Sequence, residues 1–122
     1  MRMITPSPQV KTMPKQRIYS PYAREGVALM GEQIKLGRKQ RQWTEKNLAE
    51  RAGISRATLQ KIEKGDMSCA VGSVFEVAAL VGVVLFESDN MPLSKHIEHE
   101  RNKVALLPQR IKSKKKIVRD DF

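Results

Sequence analysis

The sequence predicts a small all-α fold of five helices with one short β-strand and basic, flexible tails. Three observations carry that expectation. Aromatic residues are only 5% of the 122 residues while apolar residues are 40%, so Leu, Ile, Val and Ala on helices must supply the core. Apolar residues recur at spacings of three and four through most of the middle of the chain, which is the period of a single helix face. Only Val83-Val84-Leu85-Phe86-Glu87 departs from it, being β-branched and aromatic and too short for a helix between Gly82 and Asp89.

Residues 1–19 hold Pro6, Pro8 and Pro14 among polar residues with no apolar period, which predicts an extended or disordered arm. Ser20-Pro21 then reads as an N-cap followed by proline at the first helical position, where its missing N–H is harmless. Ala23, Val27, Met30 and Ile34 form one stripe along a helix reaching Arg41. Gly26, Gly31 and Gly37 each disfavour that helix by about 1 kcal/mol against alanine, so a bend or a division into two helices is expected. Trp43 precedes Thr44 and is expected in the core.

From Thr44 to Gly65 the chain reads as two short helices joined by a tight turn. Thr44 is an N-cap, Gly53 sits where a helix ends in the left-handed conformation, and Ser55 caps the next helix. Leu48, Ala49, Ala52, Ile54, Leu59 and Ile62 then face inward, leaving Arg56, Ala57, Gln60 and Lys61 on the outer face of the second helix. After a turn at Asp66-Met67-Ser68-Cys69, the residues Val71, Val74, Phe75, Ala78 and Val81 predict a further helix over the core, ended by Gly82. The strand at residues 83–87 has no partner strand in its own chain. Pairing with the same strand of a second copy across a two-fold axis satisfies its backbone. A last helix begins at Pro92, capped by Asn90 or Met91, with Leu93, Ile97, Val104 and Leu107 on one side until Pro108. The domain organisation expected is an arm at 1–19, a folded and dimerising domain at 20–90, a C-terminal helix at 91–107 and a basic tail at 108–122.

The segment from Gln33 to Val83 resembles the phage-repressor (Xre-type) helix-turn-helix family, through a helix bearing Arg38, the threonine cap, Leu48-Ala49 with Gly53-Ile54-Ser55, and the Ile62-Glu63-Lys64-Gly65 ending. The resemblance implies that the second helix of the pair enters the major groove. It places Ser55, Arg56, Ala57, Gln60 and Lys61 at base edges, with Thr58 and the Thr44 end of the preceding helix near phosphates, and makes Arg38 and Glu63 a buried ion pair. Arg56 and Lys61 suit guanine, Gln60 suits adenine, and the Ala57 methyl suits a thymine methyl. The family usually has glutamine directly after the cap; here Glu45 stands there, its carboxylate repels phosphate, and Lys46 is the substitute contact. Ile18-Tyr19-Ser20-Pro21, the Trp43-Thr44 start and the Val-Val-Leu-Phe strand resemble HipB-like antitoxins more narrowly. That resemblance implies a homodimer with a two-fold strand lid that represses its own operon on double-stranded DNA with a palindromic operator, and that binds a HipA-like kinase toxin. The alternatives are a phage or host regulator with no toxin partner, and a protein adaptor whose helix pair has lost DNA affinity, which Glu45 alone favours.

Formal net charge is +10 and the pI is near 10.1, which calls for a polyanionic partner. Residues 1–25 carry five positive groups and one negative, residues 26–90 nine and eight, and residues 91–122 nine and four. The ends therefore supply non-specific attraction to phosphate and the nearly neutral middle supplies base choice. Lys114-Lys115-Lys116 extends that reach, while Phe122 behind Asp120 and Asp121 suits a pocket on a protein partner. Cys69 is the single cysteine, so no intrachain disulfide forms, and a reducing cytoplasm with nucleoid association is the expected location. No apolar run is long enough to span a bilayer and no membrane association is expected. His96 and His99, with Glu100, stand three apart, which does not match the two-histidine helix motif of zinc hydrolases. No metal, no cofactor and no catalytic constellation is expected, so the chain does not read as an enzyme.

Overall fold

A computed structural model describes residues 17–86 and 90–110. Five helices follow one another: α1 (Pro21–Gln40), α2 (Glu45–Ala52), α3 (Arg56–Glu63), α4 (Val71–Leu80) and α5 (Leu93–Ala105). The fold is all-α among the described residues, with α2 and α3 as a helix-turn-helix pair. The chain divides into two compact units, Met1–Leu85 and Phe86–Phe122.

In the first unit each helix starts where the sequence places a cap. Ser20 Oγ accepts the Ala23 N–H at 3.1 Å, and Pro21 occupies the first helical position. Unlike the expectation from its glycines, α1 runs uninterrupted for 20 residues. Packing overrides propensity here. A Cβ on Gly31 would stand 2.6 Å from the Ile62 carbonyl oxygen and 2.7 Å from that of Glu63, and one on Gly37 would stand 2.8 Å from the Val81 carbonyl oxygen. Those two glycines let α1 lie directly on the chain ends of α3 and α4. Gly26 has nothing within 4 Å of its Cβ direction.

The core is Ile34, Leu48, Ala49, Leu59, Ile62, Val77, Ala78 and Val81, so all four helices of the unit contribute. Ala52 and Ile54 are half-buried at its margin, as are Met30, Trp43 and Cys69. Burial raises the Cys69 thiol pKa. The inward face of α4 is partly the predicted one: Ala78 and Val81 are buried and Val74 packs against the core, but Val77 is also fully buried, whereas Val71 is 69% and Phe75 39% exposed. Nearly every residue of α4 is apolar or small, so spacing alone does not select its phase.

Gly82 takes φ +81°, its N–H reaches the Ala79 carbonyl at 3.2 Å, and the Val83 N–H closes α4 on the Ala78 carbonyl at 2.8 Å. Val83 therefore belongs to the helix end, and residues 83–86 carry no strand ladder among the described residues. The chain there still alternates: Val83 and Leu85 pack against the core while Val84 is 77% and Phe86 60% exposed. Val84 and Leu85 enter no backbone hydrogen bond among the described residues. Glu87 lies outside the described residues.

In the second unit α5 starts after Pro92, which serves as its N-cap without a side-chain hydrogen bond, rather than as its first residue. It buries none of its residues among those described, and ion pairs Lys95–Glu98 at 3.6 Å and Lys103–Glu100 at 3.4 Å line its exposed face. Leu93, Ile97 and Val104 line an open hollow of about 690 Å³ with Phe86. Residues 1–16 of the expected arm and 111–122 of the expected tail, with Lys114, Lys115, Lys116 and Phe122, lie outside the described residues. Among the described residues no helix is long and apolar enough to cross a membrane, and no group of three or more His, Cys, Asp or Glu is placed to hold a metal ion.

Candidate nucleic-acid interface

The interface is built by the geometry of α2 and α3. Thr44 Oγ1 accepts the Asn47 N–H at 3.0 Å and so fixes the start of α2. Gly53, at φ +72°, ends α2 in the left-handed region, where a side chain would be strained. Two residues later Ser55 Oγ accepts the Thr58 N–H at 3.0 Å and also donates to Thr58 Oγ1 at 2.9 Å. Ser55, expected at a base edge, and Thr58, expected near phosphate, are thus engaged in building the start of α3.

The frame beneath α3 is the Arg38–Glu63 pair. Arg38 Nε donates to Glu63 Oε2 at 2.7 Å, and Nη2 donates to Oε1 at 3.0 Å, a two-pronged contact between side chains that are 8% and 4% exposed. The remaining Nη1 donates to the Trp43 carbonyl at 3.0 Å. Each of the three guanidinium nitrogens therefore donates one hydrogen bond, and the hydrogen bonds to Glu63 hold its pKa above the ordinary arginine value. The pair ties the last turn of α1 to the last residue of α3. Trp43 is half-buried and its ring is covered from outside by Arg51, whose guanidinium carbon is 4.1 Å from the centroid. Arg41 Nη1 donates to the Val81 carbonyl at 2.6 Å and so joins the end of α1 to the end of α4.

On the outer side, Thr44, Lys46, Ser55, Arg56, Ala57 and Lys61 are exposed, while Thr58 and Gln60 are half-buried. The eight residues assigned to DNA contact therefore lie on one pair of adjoining helices, and none is in the core. Glu45 does something the sequence pattern did not reveal. Its Oε1 accepts from Arg56 Nε at 3.1 Å and from Gln60 Nε2 at 3.0 Å. These two hydrogen bonds, Gln60 first and then Arg56, hold the Glu45 carboxyl below the usual carboxylate range. A carboxyl with a lowered pKa makes its contribution above the ordinary carboxylate pKa and loses it as pH falls through the lowered value. The tether is therefore closed throughout the neutral range. Lys35 and Lys64 flank the same place, with Glu45, Gln60 and Glu63, around a hollow of about 280 Å³. Lys64 stands four residues after Gln60, a spacing that could have marked it as part of this face; Lys35 gave no signal in its own helix.

Two short capped helices, the second tied to α1 by a buried arginine–glutamate pair and polar on its outer face, have the layout of a helix-turn-helix pair. Residues 34–83 match the family model HTH_3, described as helix-turn-helix. That segment, under half of the chain, is similar to the helix-turn-helix family. This family's domain is that of a DNA-binding transcription regulator. Solved structures similar to the chain include two of equal likeness. One is a HipB variant in complex with an O2 20mer, 26% identical, covering 63% of this chain and 99% of that chain with a TM-score of 0.45. The other is named MDT Protein, also 26% identical, covering 62% of this chain and 99% of that chain with a TM-score of 0.45. No curated protein matches the chain.

Proposed function

We propose that this helix-turn-helix protein is a sequence-specific transcriptional repressor that binds a palindromic operator as a homodimer and reads it with α3. The observation that carries the reading is the outer face of α3, where Arg56, Ala57 and Lys61 are exposed on a helix whose position is fixed from below by Arg38 and Glu63. Side chains that project from a rigidly held helix are what direct readout in the major groove requires. Thr44, Lys46, Ser55 and Thr58 lie at the two helix N-termini, where backbone N–H groups and the helix dipole favour phosphate. Positive charge at the ends of the chain adds sequence-independent attraction.

The homodimer rests on residues 83–87. Among the described residues Val84 and Leu85 enter no backbone hydrogen bond, and they alternate between exposed and packed, so a second copy of the same segment is the natural partner. The ladder starts at Val84, because the Val83 N–H is used to close α4. The HipB-like antitoxin reading, with a HipA-like kinase as partner, follows from Ile18-Tyr19-Ser20-Pro21, Trp43-Thr44 and the Val-Val-Leu-Phe segment. The adaptor reading rests on Glu45 alone, and that carboxylate holds Arg56 and Gln60 of the DNA-facing helix, which favours the DNA-binding reading.

The test is Arg56→Ala, measured by titration on operator and on random duplex at fixed salt. We expect a loss of about 1–3 kcal/mol on the operator with relaxed choice at one base pair. Equal affinity of the wild type for operator and random duplex contradicts the reading.

A further inference from the structure

We infer that Glu45 is a positioning residue for base recognition: by accepting from both Arg56 and Gln60 it sets which of their groups face the groove, and it keeps Arg56 from gripping phosphate at non-cognate sites. The inference rests on the DNA-reading role of α3 and deepens it. The geometry is a fork. One carboxylate oxygen at the first residue of α2 receives Arg56 Nε at 3.1 Å and Gln60 Nε2 at 3.0 Å, from the first and fifth residues of α3. Arg56 is long and its side chain is 64% exposed, so without Glu45 it sweeps a wide volume and its charge lands on whichever phosphate is near.

The fork removes specific donors from use. With Nε engaged, Arg56 presents its two terminal Nη groups, so a guanine must be met end-on rather than from the side. One Gln60 N–H is also engaged, which leaves the other N–H and Oε1 to face outward, the donor and acceptor that an adenine edge accepts and supplies. Gln60 is half-buried and in the same hollow as Glu63, so its amide has little other freedom. Preordering of this kind lowers the side-chain entropy lost on binding and raises the penalty for a wrong base, because the held groups cannot shift to a second partner. Glu45 also sets a negative charge beside the phosphate path. Random duplex offers no base match to offset that repulsion.

The inference therefore has a signature that a purely structural role lacks. Full-length wild type, Glu45→Ala, Arg56→Ala/Gln60→Ala and the triple variant are compared on the duplex selected by the wild type and on random duplex, each over a series of salt concentrations. Glu45→Ala is expected to bind random duplex more tightly, with the slope of log K against log salt steeper by about one unit as Arg56 becomes free to take a phosphate. Its ratio of specific to random affinity should fall about tenfold, and the loss should map to the base pairs that also lose preference in Arg56→Ala/Gln60→Ala. In the Arg56→Ala/Gln60→Ala background, adding Glu45→Ala should change that ratio less than twofold. An unchanged ratio in Glu45→Ala overturns the inference, as does an equal loss in both backgrounds. A wild type that shows no preference for any duplex overturns the DNA-reading role itself, which is a separate and recognisable failure. Thermal unfolding of each variant confirms that the fold is intact, since Glu45 and Arg56 lie outside the core.

Discussion

Glu63 accepts both hydrogen bonds that Arg38 directs at it, and neither residue has water to fall back on. Removing one partner strands the other charge in the interior. Glu63→Ala is therefore expected to destabilise the domain by about 3–5 kcal/mol in denaturant unfolding, and replacing both with Met and Leu should recover most of that. A loss below about 1 kcal/mol in Glu63→Ala would mean that the pair is solvated and carries little. The pair was legible in the sequence because the spacing of Arg38 and Glu63 follows a family pattern. The Glu45 fork was not. Its donors lie 11 and 15 residues along the chain, and they meet Glu45 only because of the angle at which α3 crosses α2, which no periodicity encodes. The sequence shows the charge at Glu45; the crossing angle decides that it faces Arg56 and Gln60.

At the scale of elements, the glycines of α1 separate propensity from packing. Gly26→Ala fills open space and is expected to stabilise the helix by about 0.5–1 kcal/mol. Gly31→Ala makes the same gain in propensity but drives a methyl into two backbone carbonyls, so a net loss of about 1–3 kcal/mol is expected. Thermal unfolding of the two variants should move in opposite directions; two stabilised proteins would contradict the close approach of α1 to α3. The caps Ser20, Thr44 and Ser55 and the Gly53 turn were all readable, because each is a local event within four residues. The phase of α4 was readable only in part, with Val74, Ala78 and Val81 inward as expected but Val71 and Phe75 exposed, since an almost wholly apolar helix offers no polar face to exclude. For α5 the apolar stripe of Leu93, Ile97 and Val104 was readable and is present, but pattern alone does not say what covers it.

For the whole molecule, two expected properties meet: a dimer through the segment after α4, and a charge distribution with its surplus at the ends. Val84→Pro removes a ladder donor at the first residue free to pair and should convert sedimenting dimers to monomers, with operator affinity falling as the two reading helices lose their fixed separation. An unchanged dimer would place the interface elsewhere. The central claim is that α3 reads sequence, twice, across a two-fold axis. Its most direct test is selection of binding sites by the wild-type chain from a pool of random duplexes at physiological salt. The account predicts an enriched palindrome whose half-sites are centred about one helical turn apart, roughly 10 base pairs. Recovery of duplexes with no shared sequence, bound with an affinity that follows salt alone, would contradict it.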